Sequence, residues 1–119
     1  MQVTTKVSER MATSAAGAAV TILSFAGDIS SASRDAILGA YHGLDSQATK
    51  ILLDFTGVDY INSSGIAIVI QMLLEAQKTG TQTVGIFGLS AHFQKVFTMV
   101  GINKYAALHK DEASALAAV

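Results

Sequence analysis

Lys50–Phe55 (KILLDF) is a short, almost unbroken apolar run, and no other segment restricts the fold as strongly. A strand that alternates apolar and polar residues needs cover on one side. A continuous run needs cover on both, the condition of an interior strand in a parallel sheet flanked by helices. The residues that follow agree with that reading. Thr56–Asn62 reads as a loop, and an apolar-rich helix starts at Ser63 or Ser64 and runs to Lys78, with Gly80 just past its end.

The rest of the chain supplies partners for this unit. Val3–Glu9 alternates as a strand, and Ala12–Gly17 is small and flexible enough to turn. Ala18–Phe25 (AAVTILSF) reads as an interior strand forming a hairpin with the first, ended by Gly27-Asp28. Ser30, Ser31 or Ser33 caps a helix reaching about Tyr41 and ending near Gly43. Thr83–Phe87 is a second buried strand. Ser90 caps a helix over Ala91–Met99, which Gly101 stops. Tyr105–His109 reads as a last short strand, and Asp111 opens an Ala-rich terminal helix. The order ββαβαβαβα predicts an α/β sandwich: a mixed β-sheet of about 4–5 strands covered by about 4 helices, in one domain spanning residues 1–119.

Composition narrows the function classes. A chain of 119 residues builds a core without staples. With no cysteine, disulfides, thiolate metal sites and thiol nucleophiles are excluded. The formal net charge of −1 offers no basic footprint for nucleic acid and no polybasic membrane anchor. The uncharged stretch Met11–Gly27, with Lys6 and Arg10 upstream, superficially resembles a targeting signal. Thr13, Ser14, Gly17, Thr21 and Ser24 interrupt it, so it reads as two strands and a turn. No membrane insertion is expected, and the expected location is cytoplasmic.

Catalytic signatures are missing. Gly85-Ile86-Phe87-Gly88 lacks the dinucleotide-binding spacing, no phosphate loop occurs, and Ser63 and Ser64 do not sit in a hydrolase elbow. His42, His92 and His109 show no ligand spacing, so neither a metal nor a cofactor is expected. The informative segment is Asp54–Leu74, in which Asn62-Ser63-Ser64-Gly65 opens the long helix. Asn and Ser are good N-caps, but one cap needs one oxygen, and three capping-type residues precede Gly65. On a helical wheel, Ile66, Val69, Ile70, Leu73 and Leu74 share one face and are expected to cover the sheet. Ile68 and Met72 fall on the opposite side with Gln71 and Glu75. That side is therefore the expected partner-docking surface, beside an exposed serine.

These residues resemble a known family. ILLDFTGVDYINSSGIAIVIQML is similar to the strand, D-S-S-G or D-S-T-G loop and following helix of STAS domains of the bacterial anti-sigma-factor antagonist type. Gly27-Asp28 matches the family's Gly-acid after the second strand, and GLSAHFQKVFTMVGI matches its later helix and closing Gly-hydrophobic pair. The resemblance covers nearly the whole chain. It implies a STAS-type sandwich and a switch rather than an enzyme. By position, Ser63 would be phosphorylated by a partner that is both an anti-sigma factor and a serine protein kinase. The unmodified protein would bind that partner and the phosphorylated one would let go, with a PP2C-type serine phosphatase resetting it. Asn62, Ser64 and Gly65 would support the phosphorylated loop, with Asp28 and Asp59 flanking it, in a monomer or weak dimer. One departure stands out: the family usually has aspartate where this chain has Asn62. Two alternatives stay open. One is a STAS scaffold subunit of a stressosome or lipid-transport assembly, without a phosphorylation cycle. The other is a receiver-like domain accepting phosphate on Asp54 at a strand end.

Overall fold

A computed structural model describes residues 5–119. Five strands form one sheet in the order β1-β2-β3-β4-β5: β1 (Lys6–Thr13), β2 (Ala19–Ile29), β3 (Lys50–Ile61), β4 (Thr83–Phe87) and β5 (Ala107–His109). β1 runs antiparallel to β2, and every other neighbouring pair is parallel. The parallel strands are joined through α1 (Arg34–His42), α2 (Ser63–Thr79) and α3 (Ala91–Met99), and α4 (Glu112–Ala118) follows β5. Strands laid down sequentially with crossovers of one hand put α1, α2 and α3 on the same face. The expected mixed sheet and its helices are therefore present in the expected order.

Lys50–Phe55 behaves as its pattern demands. Ile51, Leu53 and Phe55 enter a large core with Leu23, Phe25, Ile37, Val69, Leu73 and Phe97, under the three helices. Leu52 points the other way and packs with Val20, Ile22, Phe87 and Ala115 of α4. Phe55 stacks obliquely on Phe25 and edge-on to Phe97, with centroids 5.2 and 5.6 Å away. These contacts add a directional component to plain area burial.

The strand boundaries differ from the sequence reading. β1 spans Lys6–Thr13 rather than Val3–Glu9, and Val3 lies outside the described residues. Its charged middle, Glu9-Arg10, sits within an edge strand with one solvated side, where charge is tolerated. β2 does not end at Gly27-Asp28, and β3 does not end at Phe55. Both continue, pairing Ala26 with Gly57, Gly27 with Val58, Asp28 with Tyr60 and Ile29 with Ile61, across two register irregularities. The expected Thr56–Asn62 loop is thus a bulged strand extension. Bulges bend and twist a strand without ending it, and their polar, Gly-containing sequence imitates a loop. The last strand is shorter than expected, because the one-turn 3-10 helix Ile102–Lys104 precedes it.

Candidate functional site at the start of α2

The strand extensions deliver α2 to the C-terminal end of the central strands. Ile29 and Ile61 are the last register pair, and the Asn62 N–H then donates to the Ile29 carbonyl at 3.1 Å. Asn62 is extended (φ −89°, ψ 178°), and its Oδ1 accepts from the Gly65 N–H at 2.9 Å. Asn62 therefore caps the helix alone. Neither Ser63 nor Ser64 uses its hydroxyl in a hydrogen bond among the described residues, and both are exposed. The three capping-type residues are not redundant: one caps and two present free hydroxyls. Gly65 permits this close junction, since a Cβ there would stand 2.5 Å from the Ile29 carbonyl oxygen and 2.8 Å from Ile29 Cγ2.

Asp28 and Asp59 arrive at the same end of these two strands. Asp28 pairs in register with Tyr60, the residue after Asp59, and both carboxylates are exposed. The Asp28 carbonyl accepts the Thr5 hydroxyl at 2.6 Å, and Ser33 Oγ bonds the Ser30 N–H at 2.9 Å. This network fixes the turn from β2 into α1. Tyr60, 57% exposed, leans edge-on against Phe93 of α3 and adds an aromatic surface that the sequence reading missed.

The expected docking face is corrected by burial. Ile68 and Met72 are 4% and 1% exposed, and they lie in the main core with Gly65, Val69, Leu73 and Ala76. They are not surface residues. Gln71 and Glu75, expected beside them facing solvent, face α1 instead. Glu75 Oε1 meets His42 Nε2 at 2.7 Å, and Gln71 Nε2 donates to Glu75 Oε2 at 3.3 Å. The hydrogen bond from His42, with a smaller one from Gln71, holds the Glu75 carboxyl below its ordinary value against a weaker opposing effect of burial. Polar residues that look like solvent markers in the sequence are here markers of a helix–helix seam.

The outer face of α2 is a different stripe. Ser63, Ala67, Ile70 and Leu74 follow at helical spacing on one line. Ala67 is exposed, Ile70 is half-buried, and Leu74 is 39% exposed. The hydroxyl of Ser63 therefore heads an apolar strip running down the helix. The signal that would have found it is Gly65 and Ala76. Small residues at the spacing of Val69 and Met72 mark the side that approaches the sheet, leaving the Ser63 line outside.

Asp54 occupies the middle of β3, not its end. Its oxygens accept from Ser24 Oγ at 3.0 Å and from the Thr56 N–H at 2.9 Å, so it serves as a structural acceptor. Among the described residues no group of three His, Asp or Glu side chains is placed to hold a metal. No helix among them is long and apolar enough to cross a membrane.

Residues 11–110 match the family model described as "Mlab, STAS domain". The chain is a member of the STAS domain family. No curated protein matches it. Its fold is similar to an anti-sigma factor antagonist from Mycobacterium paratuberculosis, with a TM-score of 0.75 at 17% identity over 96% of this chain and 94% of that one. It is also similar to the Bacillus cell fate determinant SpoIIAA in its phosphorylated form, with a TM-score of 0.59 at 17% identity over 89% and 93%. A third likeness is to the murine Solute Carrier 26 family member A9 anion transporter, with a TM-score of 0.68 at 18% identity. This STAS domain matches 82% of its own length to 17% of that transporter, a small part of it. At these identities the likenesses establish the fold.

Proposed function

We propose that this STAS domain is an anti-sigma-factor antagonist that works by partner switching. In its unmodified form it binds an anti-sigma factor that is also a serine protein kinase. Phosphorylation of Ser63 releases it, and a PP2C-type serine phosphatase restores it. The observation that carries this reading is the line of Ser63, Ala67, Ile70 and Leu74: an unengaged hydroxyl at the head of an exposed apolar strip. A phosphate adds about −1.5 to −2 charges and three acceptor oxygens. At a helix start the oriented N–H groups tolerate that charge, so the fold survives. A partner surface shaped for a neutral hydroxyl and apolar neighbours would meet an anion instead, at a cost in desolvation. The arrangement is one of binding rather than catalysis.

The test is direct. Incubation with the cognate kinase followed by peptide mass spectrometry is expected to find phosphate on Ser63, and its absence there defeats the reading. Ser63→Asp is expected to weaken partner binding at least tenfold with an unchanged circular dichroism spectrum. Loss of the native spectrum would make Ser63 a structural residue.

A second reading is a scaffold subunit that binds a partner through the same strip without a phosphorylation cycle, as in a stressosome or lipid-transport assembly. Asn62 supports it: asparagine keeps the capping oxygen, which accepts from Gly65, while removing the charge that an aspartate would place beside Ser63. Under this reading Leu74→Glu loses binding, and no kinase modifies Ser63.

A further inference from the structure

Ser63 and Ser64 are consecutive, yet the helix sends them to different places. At about 100° per residue, Ser63 joins the outer strip, whereas Ser64 turns toward α1. There a groove of about 250 Å3 opens between the two helices, lined by Ser31, Arg34, Ser64, Ala67, Ile68 and Gln71. That is several times the roughly 30 Å3 one water claims in the liquid. Arg34 supplies its cation. The guanidinium is exposed and has no carboxylate partner among the described residues, whereas Arg10 and His42 are held by Glu112 and Glu75. Glu75, the acid of α2 nearest in sequence to Gln71, is already engaged by His42 and Gln71. The groove is thus lined by an arginine without a carboxylate partner and by a serine whose hydroxyl is unengaged. A guanidinium fork matches the oxygens of a phosphate group better than any other common anion-binding side chain.

We propose that Ser64 is a second phosphorylation position of the Asn62–Gly65 turn, and that Arg34 receives its phosphate across the α1–α2 groove. A kinase transfers the γ-phosphoryl group of a nucleoside triphosphate to Ser64 Oγ. The Oγ–P bond forms, the bond to the diphosphate breaks, the nucleoside diphosphate leaves, and the hydroxyl proton passes to the kinase's base. The inference rests on the reading of this turn as a kinase substrate, but the two serines have different consequences. Phosphate on Ser63 charges the docking strip. Phosphate on Ser64 enters the α1–α2 groove, whose lining shares only Ala67 with that strip.

Two measurements on the full chain test this. Phosphoserine is installed during translation at position 64 or at position 63, and the second phosphate ionisation is followed by phosphorus NMR. The midpoint at position 64 is expected roughly half a unit below that at position 63, the size of one exposed charge-assisted pair. Arg34→Gln is expected to erase the difference, and Arg34→Lys to retain part of it. A midpoint at position 64 unchanged by Arg34→Gln overturns the proposal. Phosphopeptide mapping of the protein isolated from its own cells separates the two readings. Phosphate at both serines supports both. Phosphate confined to Ser63 overturns this inference alone, phosphate confined to Ser64 overturns the Ser63 reading alone, and phosphate at neither overturns both.

Discussion

At position 65, adding a single methyl group sets a backbone carbonyl and a helix in conflict. A Cβ would stand 2.5 Å from the Ile29 oxygen, and backbone cannot swing aside as a flexible side chain can. Gly65→Ala is therefore expected to cost about 1–3 kcal/mol, the range for overpacking, and to displace the start of α2. Asn62→Ala removes the one side chain that caps the helix and is expected to cost about 1 kcal/mol. The two are separated by denaturant melts read beside partner affinity. Asn62→Ala should lower the urea midpoint with little effect on affinity, while Gly65→Ala should lower both because it moves Ser63. Equal stability of Gly65→Ala and the unmodified chain would mean that the junction is looser than the Ile29 contact requires. The sequence displayed the cap, since Asn and Ser before an apolar helix are read locally. It did not display which oxygen caps, because that depends on where β2 and β3 end.

At the scale of the element, α2 shows why periodicity alone mislaid a face. Its middle is apolar nearly all round, with Ile66, Ile68, Val69, Ile70, Met72, Leu73 and Leu74, so the polar residues were left to set the phase. Gln71 and Glu75 pointed to a solvent side that is in fact the seam with α1, where His42 holds Glu75. The real buried stripe, Gly65, Ile68, Val69, Met72, Leu73 and Ala76, is rotated by roughly a quarter turn from the expected one. In the same way, the strand Ile51–Phe55 was legible from its unbroken apolar run, but its continuation to Ile61 was not. Pairing with the far end of β2 is a tertiary fact, and no local pattern encodes it. The correction inverts the mutational expectation for this helix. Met72→Ala is expected to cost about 2–4 kcal/mol of stability as a core truncation. Leu74→Glu, on the outer strip, is expected to change stability by less than about 1 kcal/mol while weakening partner binding tenfold or more. Thermal melts and a binding titration on the same two variants settle it. A stable Met72→Ala with impaired binding would restore the discarded face.

At the scale of the whole molecule, elements distant in sequence are tied together by ionised carboxylates. Arg10 of β1 forks onto Glu112 of α4 and Glu75 of α2 meets His42 of α1, while within α4 itself Asp111 caps the helix by accepting from the Ser114 N–H at 2.8 Å. Hydrogen bonding to the Ser114 backbone holds Asp111 below its ordinary 3.8, as His42 holds Glu75 below 4.5. A carboxyl whose folded value lies below its unfolded one binds fewer protons when folded. Its stabilisation is therefore complete above the unfolded value and is lost as pH falls through the folded one. The urea midpoint is accordingly expected to stay level from about pH 7 to 5 where these groups govern it, and to decline below about pH 4.5. Glu75→Gln should lower stability at pH 7 and flatten part of the acid decline, so that its curve converges with that of the unmodified chain in acid. Both groups are solvated, so each difference should be small and should shrink in high salt. Curves for Glu75→Gln and the unmodified chain that run parallel from pH 7 to 3 would show that the α1–α2 seam does not depend on this charge. The tether would then lie in the packing of Ile37, Leu38 and Tyr41 against the core, which no change of pH removes.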